Sequence, residues 1–224
     1  MAKAAKVPES GIASRRANAR DGSNPAYVQR RHEILVAAAR VFKAKGLSAA
    51  NLGDIADEAG ADRASLYYYV GSKEELFQEV VREAVEANLD WARELRDSDA
   101  PAPDRVRTLV TELMKSYADN YPILYVFVQE NLSRTPTKNA AWAQEMRHHN
   151  KEFEDILVGI VTQGIDDGSL APVGPPVIVA YGIMGMVGWT YRWFNPETSP
   201  QDHAEIAATF AESVLRGLQV SPQP

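Results

Sequence analysis

Within about three helical turns the chain sets Asp62, Arg63, Ala64, Ser65, Tyr67, Tyr68 and Lys73. These side chains suit one kind of chemistry. The planar fork of Arg63 can donate twice to guanine O6 and N7, Ser65 can pair with either base type, and Ala64 can touch a thymine methyl. The hydroxyls of Tyr67 and Tyr68 can reach phosphate oxygens. Lys73 adds a cation beside a helix N-terminus, and both attract phosphate. A set of this kind fits a duplex whose backbone is anionic and whose base edges carry information. Three adjacent tyrosines can equally form a core, so spacing alone leaves both possibilities open.

The elements that must hold these residues are two short helices. Asn51 can cap one over residues 52–59, closed by Gly60, and Asp62 can cap a second over residues 63–69. A glycine in a tight turn between two short helices marks a helix-turn-helix, whose second helix enters the major groove. Ahead of it Ile34, Leu35, Ala38, Val41 and Phe42 form one face of a helix that stops at Lys45-Gly46. Behind it Ser72-Lys-Glu-Glu75 is a capping box opening a helix towards Arg96. Charge points the same way. The whole chain carries a net −6, yet residues 1–73 sum to +5 and the remainder to −11. A basic front end on an acidic body suggests an anionic partner, because phosphate neutralisation supplies most non-specific affinity for DNA. Residues 1–25 read as a disordered basic arm carrying Lys3, Lys6, Arg15, Arg16 and Arg20.

The remaining chain continues at helical spacing. Val106, Leu109, Val110, Leu113, Met114 and Tyr117 follow a Pro101-Ala-Pro103 break. Pro122 opens a helix through Phe127 to Leu132, and Thr137 opens a long one bearing Trp142, Met146, Phe153, Ile156, Leu157, Ile160 and Val161 up to Gly168. An uncharged helix begins near Pro176, and a last one runs over about residues 200–218 with Ile206, Phe210, Val214 and Leu218 in register. The expectation is an all-α chain of about nine helices, with a three-helix unit at 26–72 and a body at 73–220. No charge interrupts Gly168 to Tyr191, but Pro172, Pro175 and Pro176 and then Gly182, Gly185 and Gly188 break that stretch and argue for a buried helix rather than a membrane span. No apolar leader precedes the arm, so the expected location is cytoplasmic.

Without cysteine, disulfide scaffolds, thiolate zinc sites and cysteine nucleophiles are excluded. No G-x-S-x-G, P-loop or Rossmann fingerprint occurs. Glu145-Met-Arg-His148 matches half of a di-iron bundle motif and lacks its second half, and His148-His149 could meet a metal only incidentally. A non-enzyme with no cofactor is expected. A helical-bundle metal protein or enzyme is the distant alternative.

The run from Asn51 to Leu76 resembles the DNA-binding signature of the TetR family of bacterial repressors. Its Asp-Ile-Ala, Ala-Gly, Leu-Tyr-Tyr-Tyr and Ser-Lys-Glu-Glu-Leu pieces stand at family spacing. That resemblance implies a homodimer on a pseudo-palindromic operator, with Asn51, Asp62, Arg63, Ala64, Ser65, Tyr67, Tyr68 and Lys73 at the DNA. The chain departs from the family at Ala50-Asn51, at Gly53, where an arginine often meets phosphate, and at Val70, usually Phe. The basic stretch at 15–31 is expected to substitute for that backbone contact, from a minor groove.

In such a protein the body holds a small-molecule effector. The aromatic and sulfur-bearing candidates are Met114, Tyr117, Tyr121, Tyr125, Trp142, Met184, Trp189 and Trp193. Arg192 stands alone as a charge among them. If buried, it must meet a carboxylate or an anionic ligand; otherwise it lies at a helix end in water. The run 188–196 resembles the corresponding segment of TetR-family repressors of fatty-acid and sterol degradation, whose ligands are acyl-coenzyme A thioesters. Arg134, Lys138, Arg147 and Lys151 are the nearby cations for such a ligand's phosphates. A drug-like or aromatic effector is the alternative. Gly182, Gly185 and Gly188, with Ala207, Ala208, Ala211 and Leu215, are expected to form the dimer seam.

Overall fold

The computed structural model describes residues 25–121, 123–125, 127 and 140–219. Among these described residues there are α-helices and one 3₁₀ turn, and no strand. The helices are α1 (Pro25–Ala49), α2 (Leu52–Glu58), α3 (Arg63–Tyr69), α4 (Lys73–Arg96), α5 (Ala102–Asp119), α6 (Ala140–Asp166), α7 (Pro176–Gly188) and α8 (His203–Gly217), with the 3₁₀ turn at Trp189–Arg192 after α7. The basic arm, Arg134, Lys138 and the expected helix starts at Pro122 and Thr137 lie outside the described residues. Among the described residues no helix is long and apolar enough to cross a membrane.

The chain divides into two units, Met1–Val80 and Val81–Pro224. In the first, α1 turns Ile34, Ala38 and Phe42 inward, where they share a core with Ile55, Ala56, Leu66, Val70, Leu76 and Phe77. Phe42 and Phe77 meet edge to face at 5.6 Å. Gly46 (φ 72°, ψ 163°) breaks the helical path of α1 at the position expected from Lys45-Gly46.

In the second unit α5 to α8 pack around Leu109, Val110, Met114, Leu157, Ile160, Ala180, Ile183 and Ala211. Arginines of α4 face glutamates of α6 along one seam. Arg82 holds Glu145 through two bonds (2.8 and 2.9 Å), and Arg93 holds Glu152 likewise (2.7 and 2.9 Å).

Two expectations for the body need correction. The uncharged α-helix stops at Gly188, so Trp189, Tyr191 and Arg192 sit on a 3₁₀ turn rather than on its continuation. The Thr190 hydroxyl donates to the Val187 carbonyl (2.6 Å) and the Phe194 amide to the Thr190 carbonyl (2.8 Å), tightening the chain before Pro196. Ala207, Ala211 and Leu215 are buried in the chain's own core, so that face of α8 is not available as a seam; only Ala208 of that set is exposed. The three glycines of the expected seam do lie on an apolar stripe of α7 that is exposed among the described residues, with Val177, Ile178 (61% exposed) and Tyr181.

Candidate nucleic-acid interface

Each of the two short helices is too brief to persist by itself, so capping and burial must supply what length does not. Asn51 caps α2: its Oδ1 accepts from Gly53 N–H (2.8 Å) and Asp54 N–H (3.1 Å), while Asp54 accepts from the Asn51 amide groups. At the other end the Ala61 amide donates to Ala56 (2.9 Å) and Gly60 to Asp57 (3.2 Å), the Schellman pattern, which sets Gly60 at φ 58°. Arg30 of α1 donates to the carbonyls of Ala59 (3.1 Å) and Gly60 (3.3 Å), placing a cation where the carbonyls of α2 run out.

Asp62 caps α3, accepting from Ser65 N–H (2.8 Å) and Ser65 Oγ–H (2.5 Å). Those bonds hold its carboxyl below the usual range. The sign follows from linkage: the cap is in force above the unfolded carboxylate range and is lost as pH falls through the lowered folded value.

Leu66 is the buried residue of α3 and has no exposed surface. With Leu66 turned inward, Arg63, Ala64, Ser65, Tyr67 and Tyr68 all lie exposed. The tyrosines divide by environment. Tyr69 stacks on the buried Tyr27 at 5.0 Å, and Tyr68 meets both rings edge-on at 5.7 and 5.1 Å. Tyr67 and Tyr68 keep 49% and 36% of their surface in solvent. Thus one of the three serves packing and two present hydroxyl-bearing rings on the outer face.

Gly53 has a role that its missing side chain concealed. A Cβ there would lie 2.6 Å from Arg63 Cζ, so the absence of a side chain leaves the space in which the Arg63 guanidinium rests across α2. Arg63 makes no hydrogen bond there among the described residues, which leaves its donors available.

Lys73 is placed differently from its expected phosphate role. Its ammonium donates to the carbonyls of Leu47 (2.8 Å), Ser48 (3.1 Å) and Ala50 (2.9 Å), using all three donors to tie the start of α4 to the end of α1. Lys73→Met is therefore expected to lower the thermal midpoint of the first unit while leaving the salt dependence of DNA binding unchanged. A salt slope smaller by about one would return Lys73 to the phosphates.

The effector candidates fall into three groups. Met114 and Tyr117 are buried in the body core, with Tyr121, Tyr125 and Met184 packed against it. Successive rings from Tyr117 through Tyr121, Tyr125 and Tyr191 to Trp189 stand 6.1 to 6.4 Å apart. Burial pushes the Tyr117 phenol well above its ordinary value, keeping it neutral as it donates to the Phe194 carbonyl (3.4 Å). Trp142 is buried elsewhere, edge-on to Phe127 at 5.8 Å. Trp189 (57% exposed), Trp193 and Arg192 lie at the surface, with Arg192 stacked over the Trp189 ring at 4.6 Å. Of the two environments open to Arg192, the structure has the solvated one. A separate polar cleft of about 310 Å³ is lined by Arg96, His148, Lys151, Glu152, Asp155 and Ile156.

Comparison with known proteins bears on both units. Residues 34–80 match the family model described as bacterial regulatory proteins, tetR family, and residues 99–218 match the tetracyclin repressor-like C-terminal domain. The HTH-type transcriptional repressor KstR2 of Mycobacterium tuberculosis is 27% identical over 194 residues, covering 84% of this chain and 92% of that protein. The solved structure of that organism's ketosteroid transcriptional regulator KstR2 superposes with TM-score 0.73 at 26% identity, over 86% of this chain and 96% of that one. FadR of Bacillus subtilis, solved with stearoyl-CoA, shares the fold at TM-score 0.66 and 20% identity, over 84% and 99% of the two chains.

Proposed function

Because the chain belongs to the TetR family of bacterial regulatory proteins, we propose that it is a cytoplasmic repressor that binds a pseudo-palindromic operator as a homodimer and is released by a small effector. The observation that carries this is the outer face of α3. Leu66 anchors the helix from beneath, Asp62 caps it, and Arg63, Ala64, Ser65, Tyr67 and Tyr68 are left exposed together. Arg63, Ala64 and Ser65 contact base edges and the two tyrosines contact phosphates. Asn51 and Asp62 act as caps that fix the angle of the two helices. Residues 26–72 form the DNA-binding unit and residues 73–220 the effector and dimer body, with residues 1–25 as a basic arm. In a dimer the two α3 helices enter successive major grooves, about 34–36 Å apart.

The apolar stripe on α7 supports the dimer, since contiguous exposed apolar surface marks an association site. Ile178→Asp is expected to convert dimers to monomers in sedimentation and to abolish tight operator binding. A dimer unaffected by that change would move the seam off α7.

For the effector we favour an apolar acyl-CoA thioester. It is supported by the resemblance of residues 188–196, by the row of half-buried tyrosines beside Met114 and Met184, and by a shared fold with a regulator solved with stearoyl-CoA. One observation favours an aromatic or steroid-like effector instead. Lys151 is paired with Asp155 and Arg96 with Asp97, so these cations are already neutralised before any phosphate arrives. The test adds acyl-CoA thioesters, and separately sterol and drug-like aromatic compounds, to a preformed complex with DNA from upstream of the gene. Release by the thioesters alone supports the first reading, and release by the second group alone supports the other. No release by either overturns gating by these ligands. Full switching requires a preference of roughly 10⁴-fold for the released conformer.

A further inference from the structure

Arg82 and Arg93 of α4 each meet a glutamate of α6, Glu145 and Glu152, across the seam between the two helices. One turn along from Arg82, α4 presents the exposed carboxylate of Glu86. Glu86 makes no hydrogen bond among the described residues. It faces Glu145 and His149, which lie one turn apart on α6, and the three side chains each offer a ligand atom within 4.8 Å of the others. The His149 Nδ1 is buried and has no hydrogen-bond partner. The exposed carboxylate of Glu86, the carboxylate of Glu145 and the imidazole of His149, whose Nδ1 is buried without a partner, thus converge at one step of the seam.

We propose that Glu86, Glu145 and His149 form a binding site for a divalent transition-metal ion of the Zn²⁺ class, which bridges α4 and α6. The ligand set selects the ion: imidazole with carboxylates suits zinc and its neighbours, whereas magnesium and calcium prefer oxygen alone. Ligand atoms about 2.0–2.2 Å from zinc fit within that 4.8 Å limit, so at most small rotations of the two glutamates complete the site, with water filling any remaining position. Arg82 is the competitor. Its two bonds to Glu145 must loosen or share the carboxylate, and its charge opposes the ion. None of the three residues belongs to the DNA-binding face or to the effector candidates.

The test uses the full chain without a histidine tag, stripped with chelator and titrated with ZnCl₂ by calorimetry, with MgCl₂ as control. Co²⁺ visible absorption reports the ligand field. The expected result is one Zn²⁺ per chain, no response to Mg²⁺ and a raised thermal midpoint. Affinity drops at least about tenfold in Glu86→Gln and in His149→Gln, is unchanged in His148→Gln and tightens in Arg82→Gln. Circular dichroism of the variants distinguishes lost ligands from lost fold. Absence of saturable one-to-one binding by the folded wild-type chain overturns the proposal. So does binding that survives both ligand substitutions, or that falls equally in His148→Gln.

Discussion

Leu66→Ala is expected to destabilise the first unit by about 2–5 kcal/mol, the range for emptying a fully buried leucine site. The position makes the effect large. Helix α3 has seven residues and Leu66 is its buried one. A helix of two turns has no stability of its own to draw on, and its cap through Asp62 fixes only the first turn. Removing the anchor therefore frees the recognition face along with the core. Denaturant unfolding should register the loss in the first unit, and amide exchange should show α3 losing protection while α5 and α6 in the other unit keep theirs. A Leu66→Ala chain whose α3 protection is unchanged would mean that the capping bonds alone hold the helix.

Arg63→Ala is expected to weaken operator binding by about 1–3 kcal/mol, a loss of roughly 5- to 150-fold, without changing stability. Its guanidinium rests in the space left by Gly53, exposed and without hydrogen bonds among the described residues, so the folded chain loses little when it is removed. The loss should be selective, relaxing the preference at one base pair of each half-site. Arg63→Lys should not restore that preference, because an ammonium cannot offer two parallel donors to guanine. Competition binding against operators changed one pair at a time makes the distinction. A uniform loss across all sequences would reassign Arg63 to the phosphate backbone.

What was legible in the sequence was what local chemistry decides. Asn51, Asp62 and Ser72 cap helices because their short polar side chains reach amides two or three residues on, and each does so here. Gly46 breaks the path of α1, and Gly60 and Gly168 follow the ends of α2 and α6, because their backbones take positive φ. The side chains of α3 whose types suit DNA are the exposed ones, whereas spacing alone did not say which of the three tyrosines would pack inward.

What was not legible depended on parts of the chain distant in sequence. Lys73 looked like a phosphate ligand because nothing nearby showed that three carbonyls near the end of α1 would take its donors. Gly53 looked like a position that gives up a phosphate anchor, and only the placement of Arg63 gives its empty volume a use. Ala207 and Ala211 of α8 fit a dimer seam or a tightly packed core equally well by size, and their packing in the body core decided between them. Arg192 carried no local sign of exposure, since the apolar run around it continues past the end of α7 into the 3₁₀ turn.

The central claim, that the chain reads DNA through a paired α3, is tested most directly by fluorescence anisotropy. The full chain is titrated onto duplex from upstream of its own gene and onto a scrambled duplex of equal length and composition, across a range of salt. The account predicts two chains per upstream duplex, a preference over the scrambled duplex of at least about 10³-fold, and affinity that falls steeply as salt rises. Equal affinity for both duplexes at every salt concentration, or no binding to either, would contradict it.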